Sequence, residues 1–489
     1  VTPAPAGRLA SLLAFAVPLG VFAASAYRDA GFWDVGEMDT VPWILGIAHP
    51  TGFPAYVLIG WAWSHALPFG SVAFRMSLLS AVAASVAAWC VSRIVADAWP
   101  EDAWLAAGCA WFFAFGLVVW TRATRAEVHA LAICAIALTL LFGLRWYRDG
   151  RERNALGSAL ACGVGVAVHP IVALTIPGTL LLVVARRRET APRTVAACLV
   201  AFALSGGIWF AYLPLRSAYV TAHALDPTRA LGKPPGMPFW DYDHPAGFDG
   251  FLALATGTQF DVLRGPGSMP APAYRSRIAG FASAAAAEFT WPGLLVVLAG
   301  AIVAWRRDWV RCAYLASCGL LAAPFALGFA AEADTERYLL PLFFAGAIFA
   351  GDFCGVAGRR LPRFRDAIAA VPVLLAAALM LQQQALFAQP RDVLARAAID
   401  EVQSLTPPNA ILIATWTYAP PLAYATYVEG SMGARTLDAA WLGDDARHVP
   451  SWIKTRPVYV VGAPAGTIPG FRLERRSNRE MLFQVVPDK

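Results

Sequence analysis

Charge is what this chain has least of. Only 15% of its 489 residues are Asp, Glu, Lys or Arg, whereas 58% are hydrophobic and the mean hydropathy is +0.53. A soluble domain carries roughly 45–50% apolar residues, so a water-soluble globule is excluded as the main architecture. Paired cysteine motifs are missing too. All eight cysteines (Cys90, Cys109, Cys134, Cys162, Cys198, Cys312, Cys318 and Cys354) lie in or at the ends of apolar segments, and no CxxC occurs. They are small packing residues, with no disulfide framework or zinc site to argue. No compact basic stripe interleaves with exposed aromatics, so the formal net charge of +6 carries no nucleic-acid signal. No repeat of roughly 20–50 residues stands out, and neither does the pair of inverted halves found in many transporters.

What is abundant is long apolar runs separated by arginine. A run of about 17–25 such residues crosses a hydrocarbon slab as a helix. Eleven candidates follow: Leu9–Ala26, Met76–Val95, Ala103–Val119, Glu127–Leu144, Ala155–Val168, Ile171–Ala185, Val195–Leu213, Phe289–Ala304, Cys312–Ala330, Tyr338–Gly355 and Ala367–Phe387. The first is read as a retained signal anchor. The stretch Ala155–Ala185 is split at His169-Pro170 because Arg145, Arg148, Arg151 and Arg153 precede it and Arg186, Arg187, Arg188 and Arg193 follow it. Short Arg-rich loops stay cytoplasmic, so an even number of crossings lies between them. Phe53–Phe69, bracketed by Pro50, Pro54 and Pro68, is expected to lie in the outer interface with Trp61 and Trp63 at headgroup level.

With the N terminus inside, the clusters Arg306, Arg307, Arg311 and Arg359, Arg360, Arg363, Arg365 also fall in the cytoplasm. The loop 27–75, the turn Trp120–Ala126, the segment 214–288 and the tail from Gln389 then lie outside. The expected fold is an all-α polytopic membrane protein with a small C-terminal soluble α/β domain. Residues 1–388 form the membrane module and residues 389–489 the extracytoplasmic domain. Strand-like runs Ala410–Trp416 and Val458–Val461 and turn signals at Pro407-Pro408-Asn409 and Gly462-Ala463-Pro464 support the second part.

Three carboxylates, Asp34, Glu37 and Asp39, crowd the outer end of the first span in an apolar, aromatic setting. Carboxylates at a membrane boundary are costly unless solvated, paired or functional. One helical turn would put Asp34 and Glu37 on one face and point Asp39 elsewhere. His49 lies in a Pro-Gly-rich turn beside them, suited to orienting a carboxylate or a substrate, or simply to holding the turn. Arg122, Arg125, Arg216 and Arg337 sit at outer ends of spans, where the positive-inside tendency disfavours them; phosphate contact and pairing with Glu127, Asp334 or Glu336 are the two explanations. Glu127 and His129 open a span, and a helix cap accounts for them.

The run Asp34-Val-Gly-Glu37, followed by Leu45-Gly-Ile-Ala-His49-Pro50-Thr51-Gly52-Phe53-Pro54, resembles the signature of a family of GT-C-type glycosyltransferases. Its animal members are O-mannosyltransferases that modify plexin-type immunoglobulin-like domains, and it has many bacterial relatives. Trp120–His129, Tyr212–Ser217 and Asp334–Pro341 are similar to later blocks of the family, so the likeness covers about residues 10–350. Val35, Thr51 and Phe53 depart from the common Asp-Ser-Gly-Glu and His-Pro-Pro-Gly-Tyr-Pro forms, keeping the acidic pair and the turn residues.

The resemblance implies inverting sugar transfer from a polyprenyl-phosphate donor; mannose is the sugar expected, a protein hydroxyl the acceptor, and the extracytoplasmic side of the inner membrane the place. It implies Asp34 as general base, Glu37 as its partner, His49 as a substrate-orienting group, and Arg122, Arg125, Arg216 and Arg337 as phosphate-binding candidates, with Arg216 and Arg337 preferred. Some enzymes of this broad class use a divalent metal and others do not. Asp34, Glu37 and His49 form no recognisable metal-spacing motif, so none is assigned. The alternatives are transfer to a lipid or polysaccharide, and a transporter or flippase. A transporter would carry ionisable groups at span centres, which are nearly free of them here.

Overall fold

The computed structural model describes residues 5–263, 269–330, 334–463 and 467–488; Pro464 of the expected turn lies outside them. The chain is overwhelmingly helical. In order come α1 (Pro5–Ser25), α2 (Asp34–Ile44), α3 (Pro54–Ala66), α4 (Val72–Ala98), α5 (Ala103–Ala114), α6 (Leu117–Ala123), α7 (Val128–Asp149), α8 (Glu152–Val168) and α9 (Ile176–Ala185). Then follow α10 (Pro192–Phe210), α11 (Tyr212–Ala222), α12 (Phe248–Thr256), α13 (Ala271–Phe289), α14 (Trp291–Arg307), α15 (Trp309–Gly328), α16 (Leu340–Arg360), α17 (Arg365–Ala369) and α18 (Val371–Gln382). Each of the eleven apolar segments holds a helix. Among the described residues, seven helices are long and apolar enough to cross a membrane, or nine if each of two bent pairs counts as one span. The protein is an integral membrane protein.

Local chemistry sets the helix ends. Ser71 Oγ accepts the Phe74 N–H at 3.1 Å to open α4, and Asp308 accepts the Arg311 N–H at 3.0 Å to open α15. Gly150 in the left-handed region (φ 68°) closes α7. The long apolar stretch breaks at His169-Pro170, where a 3₁₀ turn, Pro170–Thr175, separates α8 from α9. The bends are sharp: 76° between α5 and α6, and 94° between α13 and α14. Packing relies on small residues. A Cβ on Gly300 would lie 1.9 Å from the Phe349 carbonyl oxygen, so only glycine lets α14 approach α16 this closely.

Five strands form the C-terminal sheet: β1 (Ile411–Ala414), β2 (Thr436–Ala439), β3 (Val458–Val461), β4 (Phe471–Arg475) and β5 (Leu482–Pro487). Their order is β2-β1-β3-β5-β4, with β1 parallel to β2 and β3, and β5 antiparallel to β3 and β4. With α19 (Leu394–Leu405), α20 (Ala419–Ala423) and α21 (Val449–Trp452), this is the expected small α/β unit.

The sheet does not stand apart from the spans. Side chains alternate along a strand, and here the alternation divides two cores. Leu412, Ala414, Tyr459, Val461 and Leu482 join the same apolar cluster as the membrane helices, together with Ala419, Leu422 and Tyr424. Ile411, Ile413, Val458 and Val460 face a second cluster with Trp452, which Leu231 of the 214–288 segment enters. Beside it, Lys233 is buried against Asp438 (Nζ–Oδ2 3.0 Å) and Asp445, both carboxylates fully buried, which ties that segment to the sheet.

Candidate active site

The acidic loop is a helix. Asp34 and Glu37 occupy the first turn of α2, where carboxylates suit the positive end of the helix dipole. Trp33 precedes it at φ 56°, ψ −148°, a strained conformation for a residue with a Cβ. The other end closes on Leu45 in the left-handed region (φ 51°). Gly46 follows because a Cβ there would sit 1.9 Å from the Phe239 carbonyl oxygen.

A cavity of about 930 Å³ opens beside the N-terminal end of α2. Asp34, His49, Arg125, Glu127, His129, His169, Asp334, Arg337 and Trp416 all contribute to its wall, with Tyr242, Gln259 and Phe260 from the 214–288 segment. Its charged groups stand at helix ends: Glu127 immediately before α7, Arg125 between α6 and α7, and Arg337 just before α16.

Asp34 is the most accessible carboxylate of the motif, its side chain 40% exposed. Its Oδ1 accepts the Trp416 indole N–H at 2.9 Å, and its Oδ2 lies 4.0 Å from Arg337 Nη1. Burial pushes the Asp34 carboxyl up, but the His49 and Arg337 charges and the Trp416 hydrogen bond outweigh it, so its pKa lies below the ordinary carboxylate value. Glu37 is fully buried and is not part of the cavity wall. It accepts the His49 backbone N–H at 2.8 Å and pairs with the His49 ring through Nδ1. Burial alone would lower the His49 pKa; the Glu37 and Asp34 charges reverse that and raise it to about 9, so the ring is an imidazolium at neutral pH. Asp39 is buried away from the cavity wall, and burial pushes its pKa well above the ordinary value.

The arginines divide. Arg337 lines the cavity, its Nε without a hydrogen-bond partner and its only ion pair the loose one to Asp34, among the described residues. Arg125 also lines it, but is held by Asp334 (3.1 Å) and Glu127 (3.6 Å). Arg122 lies behind the wall, 4% exposed, paired with Glu127 at 3.0 Å and with Asp334. Arg216, expected beside the phosphate, is absent from the wall. Its Nε donates to the Leu45 carbonyl at 2.5 Å and its Nη2 to the Ile44 carbonyl at 3.0 Å, covering carbonyls that α2 leaves unpaired at its C-terminal end. A position at a span end in sequence does not say which way a long side chain turns.

Glu127 caps α7 through the His129 N–H (3.4 Å), as expected, and also holds the His129 ring (Nδ1–Oε1 2.7 Å) and both arginines. His169, at the break between two expected spans, stacks on Phe53, ring centroids 5.7 Å apart, and reaches the wall. Trp416 is legible in the sequence only as the end of a strand-like run, since nothing there links it to a motif 382 residues away. The ligand atoms of Asp34, Glu37 and His49 lie within 4.8 Å of one another, so these three could hold a metal ion, a grouping their spacing does not reveal.

Residues 34–192 match the family model of the protein O-mannosyl-transferase TMEM260 N-terminal domain. The protein O-mannosyl-transferase TMEM260 of Mus musculus is 30% identical over 217 residues, 42% of this chain and 30% of the mouse protein. Its Dictyostelium discoideum counterpart is 27% identical over 174 residues, 32% of this chain and 21% of that protein. The chain thus aligns with less than a third of these relatives' length. The fold is similar to that of ArnT from Cupriavidus metallidurans bound to undecaprenyl phosphate, with a TM-score of 0.62 at 12% identity over 99% of this chain and 98% of that one. The apo state of the same protein gives 0.54 over 97% of each chain. The resemblance to the O-mannosyltransferase family therefore recurs in the relatives matched by sequence, and the fold is similar to that of ArnT.

Proposed function

We propose that this protein is a membrane glycosyltransferase that moves a sugar, mannose first, from a polyprenyl-phosphate donor to a protein hydroxyl. The observation that carries the reading is one cavity whose wall presents a half-exposed carboxylate, Asp34, facing a loosely paired guanidinium, Arg337. The relatives' names supply the acceptor class, and the polyprenyl phosphate is what the ArnT structure holds.

In the transfer, the acceptor hydroxyl oxygen attacks the anomeric carbon from the face opposite the phosphate, giving inversion. Asp34 Oδ2 takes the hydroxyl proton as the new C–O bond forms, and the bond to the phosphate oxygen breaks with its electron pair going to the phosphate. Arg337, and Arg125 with its remaining donors, stabilise the charge that leaves. Glu37 acts through His49, whose imidazolium it aims at the cavity. Asp34, Glu37 and His49 would hold a divalent metal only with the His49 ring deprotonated and released from its Glu37 pairing, and the metal would then neutralise phosphate charge at the same place.

The site faces the extracytoplasmic side of the inner membrane, with residues 1–388 as the transferase module and 389–489 as an outer domain. Contacts between the Arg-rich loops support this orientation. Arg186 reaches the Tyr147 carbonyl, Arg145 pairs with Asp97 at 2.8 Å and Arg359 pairs with Glu101 at 2.6 Å, so these loops gather at one end of the bundle. Reporter fusions at Arg187, Arg360 and Lys489 check it, and a cytoplasm-only reporter that is active at Lys489 sinks it. For the activity, purified protein is incubated with radiolabelled polyprenyl-phosphate mannose and cell-envelope acceptors. Label in the protein fraction is expected; label confined to lipid or polysaccharide overturns the acceptor assignment.

A further inference from the structure

The sheet domain reaches into the cavity at one residue. Trp416 follows β1, the central parallel strand, by two positions, and its indole enters the wall beside Asp34. Its ring lies flat on Phe239 (centroids 5.7 Å apart, planes 9° apart) and meets the His49 ring edge-on at 6.2 Å. Phe239 is fixed in turn, because its carbonyl accepts the Ile47 N–H at 3.2 Å across the contact that only Gly46 permits. The indole is therefore clamped between a strand end and the turn that follows α2.

What the indole supplies is direction. The terminal torsion of an aspartate is broad, so helix geometry alone does not aim its oxygens. An indole nitrogen donates and never accepts, so it can hold a carboxylate oxygen without competing for a proton. With Oδ1 engaged by Trp416 at 2.9 Å, Oδ2 is the oxygen left facing Arg337 and the cavity.

We infer that Trp416, delivered by the C-terminal sheet domain, is the positioning residue that aims the Asp34 carboxylate, so that the sheet domain completes the active site. Its docking around α2 fits this role. A Cβ on Gly36 of α2 would lie 2.9 Å from the Pro420 carbonyl carbon, the Tyr418 ring meets Phe32, just before α2, edge-on at 5.7 Å, and Tyr424 Oη accepts the N–H of Ala73 in α4 at 3.2 Å. Arg396 of α19 adds two bonds to Asp29, at 3.0 and 2.6 Å, just before α2. These contacts hold Trp416 and Asp34 in one rigid frame.

The inference rests on the reading of Asp34 as the base, and the test separates the two. Asp34→Asn, Trp416→Phe and the double variant are assayed as full-length protein on a donor–acceptor pair that the wild type turns over. Trp416→Phe keeps a ring on Phe239 and removes only the N–H. Since a hydrogen bond to a charged group is worth roughly one to two orders of magnitude, kcat should fall about tenfold or more while the donor KM moves less than about twofold. In the Asp34→Asn background the same change should cost little further, because the carboxylate it aims is gone. Should the phenylalanine variant misfold, incorporation of benzothienylalanine at position 416, which puts sulfur in place of the N–H and keeps the bicyclic shape, carries the same comparison. Wild-type kcat in the variant lacking the N–H, or losses that multiply in the double variant, overturns the inference while leaving the function intact. Wild-type turnover by Asp34→Asn overturns the base itself.

Discussion

Asp34 and Glu37 stand one helical turn apart, and burial gives them different surroundings: the first meets the cavity, the second is sealed behind His49. Asp34→Asn keeps size and most hydrogen bonding but cannot take a proton, so kcat should fall by about 10²-fold or more with expression unchanged. Glu37→Gln, acting only through His49, should cost less than Asp34→Asn in the same assay; the reverse ranking would transfer the base to Glu37. Arg337→Ala should raise the donor KM, with part of the loss recovered at high donor concentration, because a phosphate contact already made in the ground state appears there. An Arg337→Ala variant with unchanged donor KM would show that Arg337 does not hold the phosphate. Asp34 was legible because a carboxylate at a membrane boundary is costly without a use. The seclusion of Glu37 was not, since neighbours three and four apart are equivalent in sequence and only tertiary packing tells the wet side from the dry one.

At the scale of elements, the apolar runs read directly as helices because spanning a bilayer demands a long uncharged stretch, a constraint stronger than ordinary propensity. The bends did not. Between α5 and α6 the turn of 76° comes at Phe115-Gly116, where the missing Cβ leaves room for the Glu288 carboxylate to accept the Val118 N–H at 2.9 Å. That carboxylate belongs to a distant helix, and the apolar run through Val119 gives no sign of it. The helix α2 was hidden for a related reason: its Pro42, Gly36 and mixed polarity argue against a helix, and its ends are held by residues from far along the chain. Arg216 is one of them. Removing its two bonds from the α2 carbonyls with Arg216→Ala should destabilise the protein by about 1–3 kcal/mol, since charged donors to buried carbonyls are worth this much. Thermal melting in detergent should shift down while the donor KM stays near wild type. A raised donor KM with unchanged melting would instead restore Arg216 to the phosphate.

For the whole molecule, the last apolar helix ends at Gln382 and the sheet begins at Ile411; β1 and β3 fall on the two strand-like runs read in the sequence, whereas β2, β4 and β5 were not read. How that unit docks was illegible, because the face that joins the membrane helices and the face that builds its own core differ only in the parity of residues along short, uniformly apolar strands. Docking decides what the unit is for. A separate acceptor-recognition module could be removed and still leave the donor chemistry in place, so that the membrane part would go on releasing sugar slowly to water. A unit that supplies Trp416, packs Pro420 against Gly36 and ties Asp29 through Arg396 could not. Truncation after Phe387 should therefore abolish transfer to acceptor and donor hydrolysis together, even where the truncated chain still inserts in the membrane and retains its helicity. Hydrolysis of the polyprenyl-phosphate sugar by the membrane part alone, at a rate close to that of the intact protein without acceptor, would return the sheet domain to a purely recognitional role.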